Sequence, residues 1–176
     1  MPDRAFVNQF SSPWWIVTES ADIRIGVVIP TYRHAARLPG IVALLRSLSL
    51  PVLIVDDGNQ GELAAQVSAL KDPAACVAVL RRDVNGGKGA AVKDGLRAAR
   101  ALGWTHAFQV DADGQHDLGA ASTMVSHALS NPVAVVCGVP VYDRSIPTAR
   151  RIGREITHFW VRIETLSNEI LDSMCG

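Results

Sequence analysis

The fold is decided by residues 25–48, IGVVIPTYRHAARLPGIVALLRSL. The stretch begins with a short apolar run, rich in β-branched residues, that has the length and composition of a buried strand. Polar residues follow at 31–33, and apolar residues then recur at helical spacing over residues 38–48. A strand, a polar loop and a helix in this order form the repeating unit of α/β sheets. The stretch therefore predicts the first strand and first helix of such a domain.

Further apolar runs repeat this unit along the chain. The runs are residues 52–55, 76–80, 107–110 and 133–136, and helical spacing recurs at 63–70, 92–102, 118–129 and 152–170. We therefore predict five strands, buried on both faces, in a mostly parallel central sheet that helices cover as a three-layer α/β/α sandwich. Residues 1–22 follow neither period, and we assign them to an N-terminal arm.

Composition and charge exclude several classes of protein. The 176 residues are 48% hydrophobic, which excludes intrinsic disorder and supplies a core for one domain. With 17 basic and 17 acidic residues the net charge is zero, so we expect no nucleic-acid partner. The longest uncharged apolar stretch, residues 132–142, is shorter than the roughly 20 residues of a spanning helix. The first ten residues carry two charges, unlike a signal peptide. We expect a cytoplasmic chain with no transmembrane segment.

Polar sequences stand where four of the predicted strands end. They are PTYR at 30–33, DDGN at 56–59, RRDVNGGKG at 81–89 and DADGQH at 111–116. In an open α/β sheet, ligands bind beyond the carboxyl ends of the strands, where neighbouring loops meet. We therefore expect the functional residues in these four segments.

The last segment contains two acids at a strand end. Asp111 and Asp113 are separated by one residue, so their carboxylates can point to the same side and bind Mg²⁺ or Mn²⁺. Gln115 could add an oxygen ligand and His116 a nitrogen ligand. An alternative is that both acids are solvated turn residues and that Gly114 supplies the bend.

The glycine-rich segment precedes a predicted helix. Its backbone N–H groups and the ammonium of Lys88 favour phosphate oxygens. It is not a Walker A loop, because Gly89 stands where that motif has a hydroxyl. Asp56 and Asp57 offer acceptors to a ribose hydroxyl or a base N–H, and Tyr32 could cover a base. Each of these segments could also be a plain surface turn.

Taken in order, these motifs resemble those of family 2 glycosyltransferases, which have the Rossmann-like GT-A fold. The sequence is most similar to the branch of dolichyl- or polyprenyl-phosphate sugar synthases and related bacterial enzymes. The resemblance implies a nucleotide-diphosphate sugar as the donor. It also implies site roles: Pro30, Tyr32 and Asp57 border the nucleotide, Asp56 binds base or ribose, Lys88 lies near the phosphates, Asp111 and Asp113 form the DxD motif, and Gln115 is a further metal ligand.

The resemblance further implies an inverting transfer that depends on Mg²⁺ or Mn²⁺. A basic segment would meet the leaving diphosphate, which indicates Arg151 and Arg154. The acceptor would be a prenyl phosphate or a glycolipid, reached by a chain that lies peripherally at the inner membrane face. A phosphate acceptor needs no strong base, whereas a hydroxyl acceptor does, and Asp172 is the candidate.

Three departures from the branch stand out. It commonly has an apolar residue in place of Gly114 and proline in place of Asp117. Residues 172–176 resemble the start of a segment that family members continue, so we expect the single domain at 23–176 to lack the C-terminal part of the acceptor site. Such a chain would bind donor but transfer it poorly.

Two other functions compete with the transferase. One is a vestigial domain that binds nucleotide sugars without catalysis. The other is a haloacid-dehalogenase-like phosphatase, because FQVDADG at 108–114 resembles the nucleophile strand of that fold. The order of the motifs favours the transferase, since the phosphatase motif normally begins its fold.

Overall fold

A computed structural model describes residues 23–138 and 148–166, and it describes only the backbone of residues 148–151 and 154. The chain divides into two compact units, Met1–Pro132 and Val133–Gly176. The predicted N-terminal arm at 1–22 lies outside the described residues. The prediction of one domain over residues 23–176 stays a prediction.

The first unit contains a parallel four-stranded sheet in the order β3-β2-β1-β4. Its strands are β1 (Ile25–Thr31), β2 (Val52–Asp57), β3 (Val77–Arg82) and β4 (His106–Gln109). Its helices are α1 (Leu38–Ser47), α2 (Gly61–Ser68), α3 (Lys88–Ala101) and α4 (Ala121–Ser130), and a 3₁₀ turn at Leu118–Ala120 precedes α4. The register pairs Val27 of β1 with Val52 of β2, and Val52 with Val77 of β3.

Both faces of the sheet are buried under helices. Alternate side chains such as Val27, Val52 and Val77 face a core that includes residues of α1, α2 and α4. The intervening side chains, such as Val28 and Leu53, face a second core formed with α3. Because β1 and β2 are covered on both sides, all their residues are buried and their sequences show no alternation. The predicted three-layer α/β/α arrangement is confirmed.

Small residues bring α3 close to the sheet. The helix buries Ala91, Gly95, Ala98 and Ala99. A Cβ added at Gly95 would lie 2.5 Å from Val28 Cγ1, so any side chain there would push the helix away from β1. This close packing sets the position of the first turn of α3, which begins at Lys88.

The prediction of five strands was wrong for residues 133–136. Within the described residues the sheet has four strands, and residues 133–136 form a turn followed by irregular backbone. Val133 and Val135 are almost fully exposed. An apolar run becomes a strand only when a neighbouring strand accepts its hydrogen bonds, and composition alone does not supply that neighbour.

The second unit contains the helix α5 (Thr148–Thr165). Its apolar side chains recur on one face, as the sequence predicts, but they are exposed: Ile152, Ile156, Phe159, Trp160 and Ile163, followed by Leu166. We call these six residues the α5 stripe. The remainder of the predicted stripe, up to residue 170, lies outside the described residues. No helix in the described part of the chain is long and apolar enough to cross a membrane.

Candidate functional site

The predicted strand-end segments meet in one cleft of the first unit. The cleft has a volume of about 310 Å³. It is lined by Pro30, Thr31, Tyr32, His34, Asp57, Asn85, Gly87, Lys88, Ala91, Asp111, Ala112 and Asp113. These residues lie at or just after the carboxyl ends of β1, β2 and β4, in the loop between β3 and α3, or in the first turns of α3. The parallel sheet therefore brings together groups that are up to 83 positions apart, from Pro30 to Asp113.

Asp57 connects the cleft to the glycine-rich loop. Its carboxylate is almost fully buried and accepts hydrogen bonds from Arg82 Nη1, from the Gly86 N–H at 3.0 Å and from Asn85 Nδ2 at 3.1 Å. Asn85 Nδ2 also donates to the Asp57 carbonyl at 3.2 Å. The side chain of Asp57 therefore holds the backbone of the loop that leads to Lys88, in addition to bordering the cleft.

Arg82 lies behind this loop, between two acids. Its Nη1 pairs with Asp57, and its Nε donates to Asp94 Oδ2 at 2.9 Å. Burial lowers the pKa of Arg82, but the hydrogen bonds and negative charges of Asp57 and Asp94 outweigh that effect and raise it above its ordinary value. The guanidinium is therefore a permanent cation beneath the loop.

Asp56 lies behind the cleft. Its carboxylate is fully buried, and Oδ1 accepts from Asn59 N–H at 2.8 Å and Asn59 Nδ2 at 2.7 Å. Asn59 also accepts from the Arg33 N–H at 2.8 Å, and Arg33 has a left-handed backbone with φ of 63°. Through Asn59, Asp56 supports the loop that carries Tyr32. Contact of Asp56 with a base or ribose stays a prediction.

Tyr32 stands exposed at the end of β1. The guanidinium carbon of Arg33 lies 5.0 Å from the centre of the Tyr32 ring, which is the distance of a cation–π contact. An exposed aromatic ring at the rim of a cleft offers a flat apolar surface on which a nucleobase can stack.

Lys88 and Asp111 face each other across the cleft. Lys88 Nζ lies 2.8 Å from Asp111 Oδ2, and both residues are partly exposed. The His116 ring accepts from the Asp111 N–H at 3.4 Å through Nδ1, and its Nε2 lies 3.7 Å from Asp111 Oδ2. The Lys88 ammonium therefore lies in the cleft, where it could contact an anionic ligand.

Asp113 also lines the cleft, whereas Gln115 does not. Asp113 Oδ1 accepts from the Gln115 N–H at 3.0 Å, and within the described residues its Oδ2 accepts no hydrogen bond. Gln115 is exposed. Arg151 and Arg154 belong to α5, but their side chains lie outside the described residues, as does Asp172.

The acidic side chains of the cleft suit a hard divalent cation that takes only some of its ligands from the protein. Two carboxylates, those of Asp111 and Asp113, line one cleft. No group of three or more His, Cys, Asp or Glu side chains that could enclose a metal occurs among residues 23–138 and 152–166. Mg²⁺ is typically held by one or two carboxylates together with substrate phosphates and water, so these residues fit it.

Several residues that shape the cleft were missed at the level of sequence. They are Arg37, Asn59, Arg82 and Asn85, which support the loops, and His34, which lines the cleft. Asn59, Arg82 and Asn85 lie within the strand-end segments quoted above but received no role there, so they were detectable candidates. Arg37 carries no local signal, because its partner Asp113 is 76 positions away.

An open parallel sheet with a polar cleft at its carboxyl edge is typical of α/β proteins that bind a ligand beyond the ends of their strands. Residues 26–173 match the model of glycosyl transferase family 2, and the chain belongs to that family. The expected resemblance is confirmed. Membership of this family also decides against the alternative of a haloacid-dehalogenase-like phosphatase.

Two curated relatives fall in the branch that the motifs indicate. A dolichyl-phosphate beta-glucosyltransferase of Dictyostelium discoideum is 27% identical over 176 aligned residues, which cover 88% of this chain and 53% of the relative. A polyprenol monophosphomannose synthase of Mycolicibacterium smegmatis is 37% identical over 95 residues, which cover 51% of this chain and 35% of the relative. The chain thus spans about half the length of the first relative, and the match to the second covers about a third of it.

Proposed function

We propose that this chain binds a nucleotide-diphosphate sugar in the cleft and acts as the donor-binding part of an inverting glycosyltransferase. The observation that carries this proposal is the meeting of Asp57, Lys88, Asp111 and Asp113 in one cleft of about 310 Å³. A diphosphate near Lys88 and a cation on Asp111 and Asp113 would use three of these groups. Asp57 would border the nucleotide and hold the glycine-rich loop, and a base would stack on Tyr32, which lines the same cleft.

Asp111 and Asp113 would hold Mg²⁺ or Mn²⁺. When bound, the cation supplies positive charge that stabilises the leaving diphosphate. Lys88 has a second role in this proposal. In the structure its ammonium neutralises Asp111, and an incoming diphosphate would compete for the same ammonium. Donor binding would thereby release Asp111 Oδ2 from its lysine partner.

The transfer itself would be a direct displacement. An acceptor oxygen forms a bond to the anomeric carbon while the bond from that carbon to the diphosphate oxygen breaks, so the configuration inverts and the electron pair leaves with the diphosphate. Arg151 and Arg154 are the proposed further cations for this leaving group. If the acceptor is a lipid phosphate, it is already an anion and no general base is needed. Asp172 remains the proposed base for a hydroxyl acceptor.

We propose a lipid phosphate at a membrane surface as the acceptor. The names of both relatives contain a lipid alcohol in phosphorylated form. The α5 stripe provides six exposed apolar side chains, five of them on α5, including Phe159 and Trp160, and the sixth, Leu166, directly after the helix. Residues 148–165 contain four arginines and two glutamates, a positive excess in a chain whose net charge is zero. An apolar stripe on a helix with an excess of arginine over glutamate suits an anionic lipid surface.

Donor binding is tested by a thermal-shift screen of UDP-, GDP-, TDP- and CDP-sugars with and without Mn²⁺, because a ligand of the native state raises its stability. We expect one nucleotide class to raise the melting temperature in a Mn²⁺-dependent way, and Asp113→Ala to abolish the Mn²⁺ dependence. Asp83→Ala, which removes an exposed acid outside the cleft, is the matched control. A Mn²⁺-dependent shift that survives in Asp113→Ala would contradict the assignment of Asp113.

Transfer is tested with radiolabelled donor, a prenyl phosphate and a glycolipid extract. Binding without transfer would favour the alternative of a donor-binding domain.

Vesicle flotation is a separate test of the proposed contact between the α5 stripe and a membrane surface. Anionic vesicles should bind the chain, and Phe159→Ser should weaken the binding. Val84→Ser, which removes an exposed apolar residue of the first unit, should leave it unchanged.

A further inference from the structure

Arg37 joins helix α1 to the loop that carries the DxD acids. Its Nη1 donates to the Asp113 carbonyl at 3.0 Å, across 76 positions of sequence. The backbone of Arg37 is held at the start of α1, where its carbonyl accepts from the Ile41 N–H at 3.2 Å. Ala35, two residues before Arg37, and Leu38, directly after it, are buried in the core. The guanidinium is therefore attached to a fixed support, although it lies at the surface.

The absence of a side chain at Gly114 leaves the space that Arg37 occupies. Its φ of +69° lies in the left-handed region, which side chains disfavour. A Cβ at this position would also lie 2.9 Å from Arg37 Cδ and 3.2 Å from Arg37 Nη1. A side chain at residue 114 would therefore force Arg37 to move from its present position.

The same turn orients the carboxylate of Asp113. Asp113 Oδ1 accepts from the Gln115 N–H at 3.0 Å, so the carboxylate closes a turn over Gly114. Arg37 holds the carbonyl at the start of that turn, and the absence of a side chain at Gly114 lets it approach. These two hydrogen bonds fix the carbonyl and Oδ1 of Asp113, a residue that lines the cleft.

We infer that Arg37 is a positioning residue for Asp113, and that Arg37 and Gly114 act as a matched pair that presets the metal-binding acid before any ligand enters. The inference rests on the proposed function, because it gives Asp113 a divalent cation to bind. Partners that orient a ligand residue commonly change metal affinity by about 10- to 100-fold when they are removed.

The first test measures Mn²⁺ binding by the electron paramagnetic resonance signal of free Mn²⁺, with no nucleotide present. Arg37→Ala should weaken binding about tenfold, and Arg37→Lys should recover part of the loss. Arg46→Ala is the matched control, because Arg46 Nη1 makes a similar bond, 2.8 Å long, to the Leu50 carbonyl at the other end of α1. Equal Mn²⁺ affinities in Arg37→Ala and Arg46→Ala would overturn the inference.

The second measurement does not need the metal. Hydrogen exchange at the Gln115 amide should be faster in Arg37→Ala than in the wild type and in Arg46→Ala, because the turn loses its support. If the wild type binds no Mn²⁺, the metal part of the proposed function fails. Faster Gln115 exchange confined to Arg37→Ala would then still support the positioning role, and unchanged exchange would overturn it.

A double-mutant cycle tests the pair itself. Gly114→Asn tolerates the left-handed backbone better than other replacements but introduces a Cβ against Arg37. It should speed Gln115 exchange strongly in the wild type and only weakly in the Arg37→Ala background. Additive effects of the two substitutions would overturn the matched pair.

Discussion

The two units of the chain contain equally regular apolar patterns but bury them to very different degrees. In the first unit, the apolar face of α1 is buried through Leu38, Ile41, Val42 and Leu45. In the second unit, the α5 stripe is exposed, and Leu166 at its end is 91% accessible. The comparison teaches that periodicity reports which face of an element is apolar. Whether that face is covered depends on what packs against it.

The largest effect we expect is in the central strand. Ile54→Ala should lower the free energy of unfolding by about 2–5 kcal/mol, because Ile54 is fully buried in β2 and the substitution leaves a cavity. Ile156→Ala, at a side chain of the α5 stripe that is 55% exposed, should change it by less than about 1 kcal/mol. Urea unfolding curves measure both. A large cost for Ile156→Ala would show that the α5 stripe is covered in solution.

The contrast between buried and exposed groups also exists within the polar network of the cleft. Asp57→Asn should cost about 2 kcal/mol, because the buried carboxylate accepts from Arg82, Asn85 and Gly86. Asp94→Asn weakens the other, more exposed side of Arg82 and should cost less than about 1 kcal/mol. Urea unfolding ranks the two. If both variants lost the same free energy of unfolding, the burial of Asp57 would not strengthen its interaction with Arg82.

Two helix glycines should respond with opposite signs. Gly95→Ala places a methyl group 2.5 Å from Val28 Cγ1 and should destabilise α3 by about 1–2 kcal/mol. Gly153→Ala meets no atom within 4 Å and should stabilise α5 by up to about 1 kcal/mol through helix propensity. Segment-resolved hydrogen exchange reads each helix separately. Destabilisation by Gly153→Ala would indicate a close neighbour of α5.

The smallest effect concerns ligand affinity alone. Lys88→Met should weaken nucleoside-diphosphate binding about tenfold, because it removes a charge-assisted contact to phosphate. Lys93→Met removes an exposed ammonium from the same helix, outside the cleft, and should leave affinity unchanged. Calorimetry at low and high salt measures both. The difference between the two variants should shrink as salt screens the Lys88 contact.

The polar segments could be found in the sequence because a strand end is a local feature. Apolar runs of strand length predicted β1 to β4, and the rule that ligands bind beyond carboxyl ends placed Asp57, Lys88, Asp111 and Asp113 in one neighbourhood. The structure confirms that these four residues line a common cleft. Their roles toward a nucleotide and a metal remain to be tested by the experiments above.

Long-range partners were beyond the reach of the sequence. Arg82 sits under the glycine-rich loop because β3 pairs with β2, which places Arg82 in register with Asp57. Arg37 reaches Asp113 because β4 pairs with β1 and so brings the DxD loop beside the start of α1. A single sequence contains no signal for such pairs.

Local sequence determined the order of strands and helices, the apolar face of each, and the chemistry at each strand end, because these depend on neighbours one to four positions apart. Tertiary structure alone decided that residues 133–136 form no strand, that the α5 stripe is exposed, and that Asp57 and Asp113 are held by distant arginines. The physical reason is that hydrogen-bond pairing and burial are properties of the surroundings, and those surroundings are assembled only when the chain folds.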